Sequence, residues 1–139
     1  VYSSQRQPVT QFVGNAGVKK KDLEADPLIQ DGQKLVPSIT RVFRKDQNLY
    51  VYMEVYDPAS SPQPSVAAVL TFYRGSVKAF ETSPVRVSQL APKRNAALPV
   101  QFQVPLAKLL PGRYTCQVNL IDEQAKRFAF PRTELVLLR

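Results

Sequence analysis

The chain has 139 residues, 44% of them hydrophobic, and its nineteen basic residues outnumber eleven acidic ones to leave a net charge of +8. A chain of this size buries roughly two-thirds of its unfolded surface, enough for a core without metals or cross-links. With no histidine and a single cysteine, Ser-His-Asp and Cys-His catalysis, histidine-bound metals and an internal disulfide are excluded.

Twelve prolines against five glycines predict many short segments with fixed turns, because proline breaks helices and central strands alike. No apolar run approaches the ~18 residues of a membrane span. The chain opens at Val1 without a methionine or a signal-like stretch, which reads as a processed chain or an excised domain.

Residues 1–34 are polar and lack sustained periodicity, which predicts a linker or arm lying along a domain, with one strand near residues 10–13. Lys19, Lys20 and Lys21 read as a solvated loop. Asp22, Glu24 and Asp26 have the spacing of a calcium loop, but Pro27 stands where a glycine is needed.

From Leu35 the pattern turns to period two, and residues 35–139 read as one domain. A first strand is expected over 36–43, anchored by Ile39 and by Val42 or Phe43, followed by a polar turn at 45–48. Residues 49–56 alternate cleanly: Leu49, Val51, Met53 and Val55 face one way, Tyr50, Tyr52, Glu54 and Tyr56 the other. A proline-rich loop at 57–65 precedes a strand at 66–73, which the two-residue turn Arg74-Gly75 joins to a strand at 77–81. Further strands are expected at 85–90 and, after a basic loop at 92–97, through Leu98, Val100, Phe102 and Val104. One helical or irregular turn at 105–110 leads to a strand over 113–121 with Tyr114, Cys116, Val118 and Leu120 inward. A last strand over 127–138 is broken at Pro131. About eight strands at this spacing predict an all-β antiparallel sandwich.

Leu110-Pro111-Gly112-Arg113-Tyr114 sharpens that expectation. A Pro-Gly turn feeds a strand whose early tyrosine has the layout of the tyrosine corner of immunoglobulin and fibronectin-III sandwiches, in which the phenol bonds to backbone a few residues upstream. Cys116, two residues on, occupies the place of the second bridge cysteine of immunoglobulin domains. Its partner is missing, so it reads as a small buried apolar residue.

The basic excess is greatest after Leu90, with eight basic and three acidic residues, but it is spread as singles and pairs, which reads as a solvated surface rather than a nucleic-acid site. No glycine-rich phosphate loop occurs in strand-to-helix context. No catalytic constellation or cofactor site is therefore expected, and the chain reads as no enzyme. Tyr50, Tyr52 and Tyr56 are the one candidate binding surface, because an aromatic row can stack on sugars or anchor a protein. The competing reading of that face is burial under the N-terminal arm or a neighbouring strand.

The stretch 26–43, with Asp26-Pro-Leu-Ile-Gln-Asp-Gly and Val36-Pro-Ser-Ile-Thr-Arg-Val-Phe, then Leu49-Tyr-Val-Tyr-Met-Glu-Val-Tyr-Asp and Leu110-Pro-Gly-Arg-Tyr-Thr, resembles the C-terminal β-rich region of the acidobacterial exported proteins called VWFA-related. The resemblance covers roughly residues 26–122. It implies secretion, to the periplasm, the cell surface or beyond, and an accessory or adhesive setting. The family's type A-like domain carries an Asp-x-Ser-x-Ser metal motif that is absent here, so no metal site transfers. Pattern and resemblance together suggest a spacer or protein-interaction module whose partners are other domains of its parent protein or another protein. The alternative is a carbohydrate- or cell-surface-binding module that uses the aromatic face.

Overall fold

The computed structural model describes residues 1–10, 25–56, 66–87 and 97–139. In chain order the strands are β1 (Tyr2–Ser3), β2 (Gln5–Pro8), β3 (Ile29–Gln30), β4 (Gln33–Val36), β5 (Val42–Arg44), β6 (Asn48–Tyr56), β7 (Val66–Arg74), β8 (Val77–Glu81), β9 (Val85–Val87) and β10 (Ala97–Pro105). A 3-10 turn (Leu106–Lys108) follows, then β11 (Gly112–Asp122), β12 (Arg127–Ala129) and β13 (Arg132–Leu138). The described chain is thus all-β.

The strands form one sheet in the order β1-β6-β10 and a second in the order β5-β13-β11-β7-β8, with β12 continuing the β13 side of β11 and β9 pairing the start of β7. All pairings are antiparallel except that of β5 with β13, which is parallel. A small third sheet has the order β2-β4-β3.

Period-two patterning explains how the two larger sheets meet. Leu49 and Val51 of β6 and Leu98, Val100, Phe102 and Val104 of β10 supply one apolar face. Val66, Ala68, Leu70 and Phe72 of β7, Tyr114, Cys116 and Val118 of β11, and Leu135 and Leu137 of β13 supply the other, and all belong to one buried cluster. Each fully buried aliphatic or aromatic side chain contributes ~1.5–3 kcal/mol, so this shared core holds the sheets together in a sandwich-like arrangement.

Several boundaries differ from the sequence reading. The single strand expected over 36–43 is two strands in different sheets. Pro37 offers no N–H to continue a ladder, the Ser38 hydroxyl accepts a bond from the Arg41 amide, and Arg41 takes a left-handed φ of 54°. The chain thereby turns from the small sheet to the edge of the second one. Ile39, expected as an anchor, lies on that crossing and is 97% exposed. The β7–β8 turn is Gly75-Ser76, one residue later than expected, because Arg74 pairs with Val77 and Gly75 supplies the positive φ of 62°.

At the N-terminus, β1 pairs with β6 and β2 pairs with β4. The boundary drawn between residues 34 and 35 falls inside β4. Of the strand expected near 10–13, residues 11–13 lie outside the described residues, as do the lysine run, Asp22, Glu24, the loops at 57–65 and 92–96, and the end of the strand expected at 85–90. Within the described part, Asp26 pairs with Lys34 at 2.7 Å and accepts a bond from the Leu28 amide, which ties the approach to β3 onto β4. No helix among the described residues is long and apolar enough to cross a membrane.

Candidate functional site

The three tyrosines of β6 share a face, but they do not form one open platform. Tyr52 is 7% exposed. Its surroundings include Arg6, Pro27, Leu28, Leu35 and Gln101, which leave a void of only about 10 Å³. Tyr50 carries the Arg6 guanidinium over its ring, 4.1 Å from the centroid. The small sheet is therefore the cover of this face. Tyr56 is 64% exposed.

Glu54 sits within the row as a shared acceptor. One carboxylate oxygen takes the Tyr52 hydroxyl at 3.0 Å and the other takes the Tyr56 hydroxyl at 2.6 Å. Hydrogen bonds from two phenols make a half-buried carboxylate tolerable. The same bond, followed by the charge of Glu54, holds the Tyr56 phenol above its usual pKa.

Tyr114 opens β11 beyond the Pro111-Gly112 turn. Its ring is 3% exposed and meets Phe72 edge-on at 6.4 Å. Its hydroxyl donates to the Leu110 carbonyl at 2.6 Å, while Leu109 is buried and Leu110 is 65% exposed. Gly112 has a φ of 147°, and a Cβ there would stand 3.0 Å from Nη2 of Arg74. Cys116 is fully buried, and burial pushes its thiol up to about 12, with the Tyr2 hydroxyl as its hydrogen-bond partner. Such a thiol is a packing residue rather than a nucleophile.

The outer face of the second sheet carries a polar ladder. Arg132 Nε donates to Gln117 (2.6 Å), Gln117 to Asn119 (2.5 Å), Asn119 to Thr71 (2.9 Å), and Thr71 to Glu81 (3.1 Å), which also receives Lys78 (3.3 Å). Six side chains thus link four strands, and the bonding lets Thr71 sit fully buried.

A different surface emerges at the end of the sandwich where β6 finishes. The pairings Ala97 with Tyr56, Val66 with Asp122, and Val66 with Val87 place these strand ends together. An apolar cleft of about 170 Å³ lies there, walled by Val55 and Tyr56 of β6, Val66 of β7, Leu120 and Ile121 of β11, and β12. Beside it Phe128 is 71% exposed and Phe130 45%, their rings 5.3 Å apart. These rings form an exposed apolar patch next to the cleft. Tyr56 alone of the three expected residues belongs to it.

Sequence reasoning missed Phe128 and Phe130. The available signal was a pair of phenylalanines two apart, just before Pro131, in a strand with basic residues at its start.

Among the described residues no group of three or more cysteine and carboxylate side chains is placed to hold a metal ion. In comparisons with known proteins, the chain matches no family model and no curated protein.

Proposed function

We propose that the chain is an immunoglobulin- or fibronectin-III-like module of a larger exported bacterial protein, and that it acts without catalysis as a protein-interaction domain. The fold half of this reading is supported by the strand orders β1-β6-β10 and β5-β13-β11-β7-β8, which follow the A-B-E and G-F-C division of such sandwiches, and by the Tyr114 hydroxyl bonded to Leu110. Export rests on the resemblance to VWFA-related proteins.

The observation that carries the interaction half is the aromatic end: Phe128, Phe130 and Tyr56 stand exposed around an apolar cleft. A pure spacer has no use for such a surface, which costs solubility. The carbohydrate reading is weaker, since Tyr52 lies under the small sheet and Tyr50 under Arg6.

A photo-crosslinking phenylalanine analogue at position 128 of the full-length protein, produced in its own cells, tests the interaction. It is expected to capture one defined protein or domain, whereas the same analogue at Val77, exposed at the start of β8, captures none. Equal capture from both positions, or none from position 128, refutes the reading.

A further inference from the structure

The second sheet has an open edge along β12 and the first half of β13. Both strands keep one register on β11, with Ala129 opposite Leu120 and Arg132 opposite Gln117. No residue is lost at Pro131, and side chains go on alternating through it. Phe128, Phe130, Arg132 and Glu134 therefore share the outer face, in agreement with the 5.3 Å between the two phenyl rings. Backbone directions alternate in the same way. The Pro131 carbonyl accepts the Val118 amide of β11, whereas the Val136 amide donates to Arg41 at the start of β5. Phe128, Phe130, Arg132 and Glu134 thus turn their N–H and C=O groups away from β11, to the side that β5 takes further on.

β5 covers only Val136 to Leu138. It begins where Arg41, at a φ of 54°, brings the chain in from the small sheet. No strand among the described residues pairs with the edge that precedes it. A proline often blunts such an edge. Here the N–H that Pro131 lacks would have faced β11, so the open side keeps its donors.

The order of side chains along this edge is complementary to itself. Antiparallel pairing with a second copy, about a two-fold axis at Phe130, sets Phe130 against Phe130 and Phe128 against Arg132. Lys126, the last residue of the turn before β12, comes level with Glu134, and both are exposed. Two rings together, a guanidinium over a phenyl face and a pair of opposite charges are the contacts that stabilise neighbouring strands. On the other face Ala129 meets Pro131 and Arg127 meets Thr133, so no like charges stand directly opposed. An axis at Pro131 would set Phe128 against Glu134, and one at Arg132 would oppose two guanidinium groups. The pairing also takes from water two rings that are 71% and 45% exposed.

Resting on the reading of this chain as an interaction module, we propose that its partner is a second copy, and that the two copies join their second sheets edge to edge along β12 and the start of β13. Main-chain bonds supply affinity and the side-chain order supplies the register. The charge of +8 on each copy opposes the approach at low salt and is screened at physiological ionic strength. One strand pair is a small interface of the transient class.

The test is therefore a dilution series of the isotopically labelled chain, from micromolar to millimolar at physiological ionic strength, followed by sedimentation and nuclear magnetic resonance. The mass is expected to rise toward two copies, with shifts and slowed hydrogen exchange at the amides of Phe128, Phe130 and Arg132. Phe130→Lys, which opposes two charges on the axis, weakens the association about tenfold. Lys126→Glu and Glu134→Lys each weaken it alone, and an equal mixture of the two variants restores it, since each supplies the charge the other lacks. Mixing rescues no defect of folding. A chain that stays single at millimolar concentration, shifts confined to other surfaces, a mixture no tighter than its parts, or amides of Phe130 and Arg132 already protected in the dilute sample overturns the proposal. Capture of a different protein from position 128, with a chain that never self-associates, sinks the pairing and spares the interaction module. Self-association without capture in cells does the reverse.

Discussion

Removing the hydroxyl and then the ring of Tyr114 separates two contributions that the structure places on one residue. Tyr114→Phe deletes the 2.6 Å bond to Leu110 and leaves the ring in place. Net hydrogen bonds are worth ~0.5–1.5 kcal/mol. Because Leu110 is 65% exposed, its carbonyl can turn to water, so the loss belongs at about 1 kcal/mol or less. Tyr114→Ala also removes a ring that is 3% exposed and packed edge-on against Phe72. Aromatic truncation in a core costs ~3–5 kcal/mol. Urea unfolding of the wild type and both variants reads these values as midpoint shifts at constant slope. The expected order is wild type, a slightly weaker Phe variant and a far weaker Ala variant. Near-zero losses for both variants would refute the buried corner, and equal large losses would mean that the hydroxyl, not the ring, carries the stability.

The Cys116 thiol, raised to about 12 by burial, should resist alkylation in the native protein and react on unfolding. Its protonated form contributes stability fully below the unfolded pKa near 9 and loses it as pH rises toward about 12, so the urea midpoint of the wild type should fall more steeply across that window than that of Cys116→Ala. Asp26 titrates the opposite way: burial opposes its charge, but the Lys34 and Leu28 bonds hold its pKa below the usual value. Its contribution is present above the unfolded pKa and is lost as acid protonates it, and Asp26→Asn should flatten that acid limb in a pH series of unfolding midpoints. Ile39→Ser, at a position 97% exposed, should leave the melting midpoint within the change of ~0.5 kcal/mol typical of surface substitutions. Gly75→Ala, with φ at 62° and open space for the methyl, should cost about 1 kcal/mol through backbone strain alone.

The core strands were legible because side chains in a strand alternate faces, so one buried face writes period two into the sequence. Leu98, Val100, Phe102 and Val104 show it plainly, and all are buried. The break between β4 and β5 was not legible, because the turn at Arg41 is chosen by where β13 lies: Arg41 oxygen accepts the Val136 amide, a partner 95 residues away in sequence by those two numbers. β1 and β2 were illegible for a similar reason, being short polar pieces whose ladders are supplied by β6 and β4. For the candidate surface, patterning placed Tyr50, Tyr52 and Tyr56 on one face, but only the register of the small sheet decides which rings are covered. Phe128 and Phe130 stand two apart, but that spacing did not say which face they take, because a strand interrupted by a proline, as here at Pro131, can change face.

The parallel pairing of β5 with β13 also sets an order of events in folding. Val42–Arg44 leaves the small sheet early in the chain and finds its neighbour only when Arg132–Leu138 is present. Closing so long a loop costs entropy before any contact repays it, and folds dominated by such distant pairings form in milliseconds to seconds rather than microseconds. During synthesis β5 must wait for β13 while β6 through β12 are made. The exposed run from Ile39 to Val42, with two apolar residues flanking Thr40 and Arg41, is then awaiting a template, the interval in which a nascent chain of this kind is most open to mispairing.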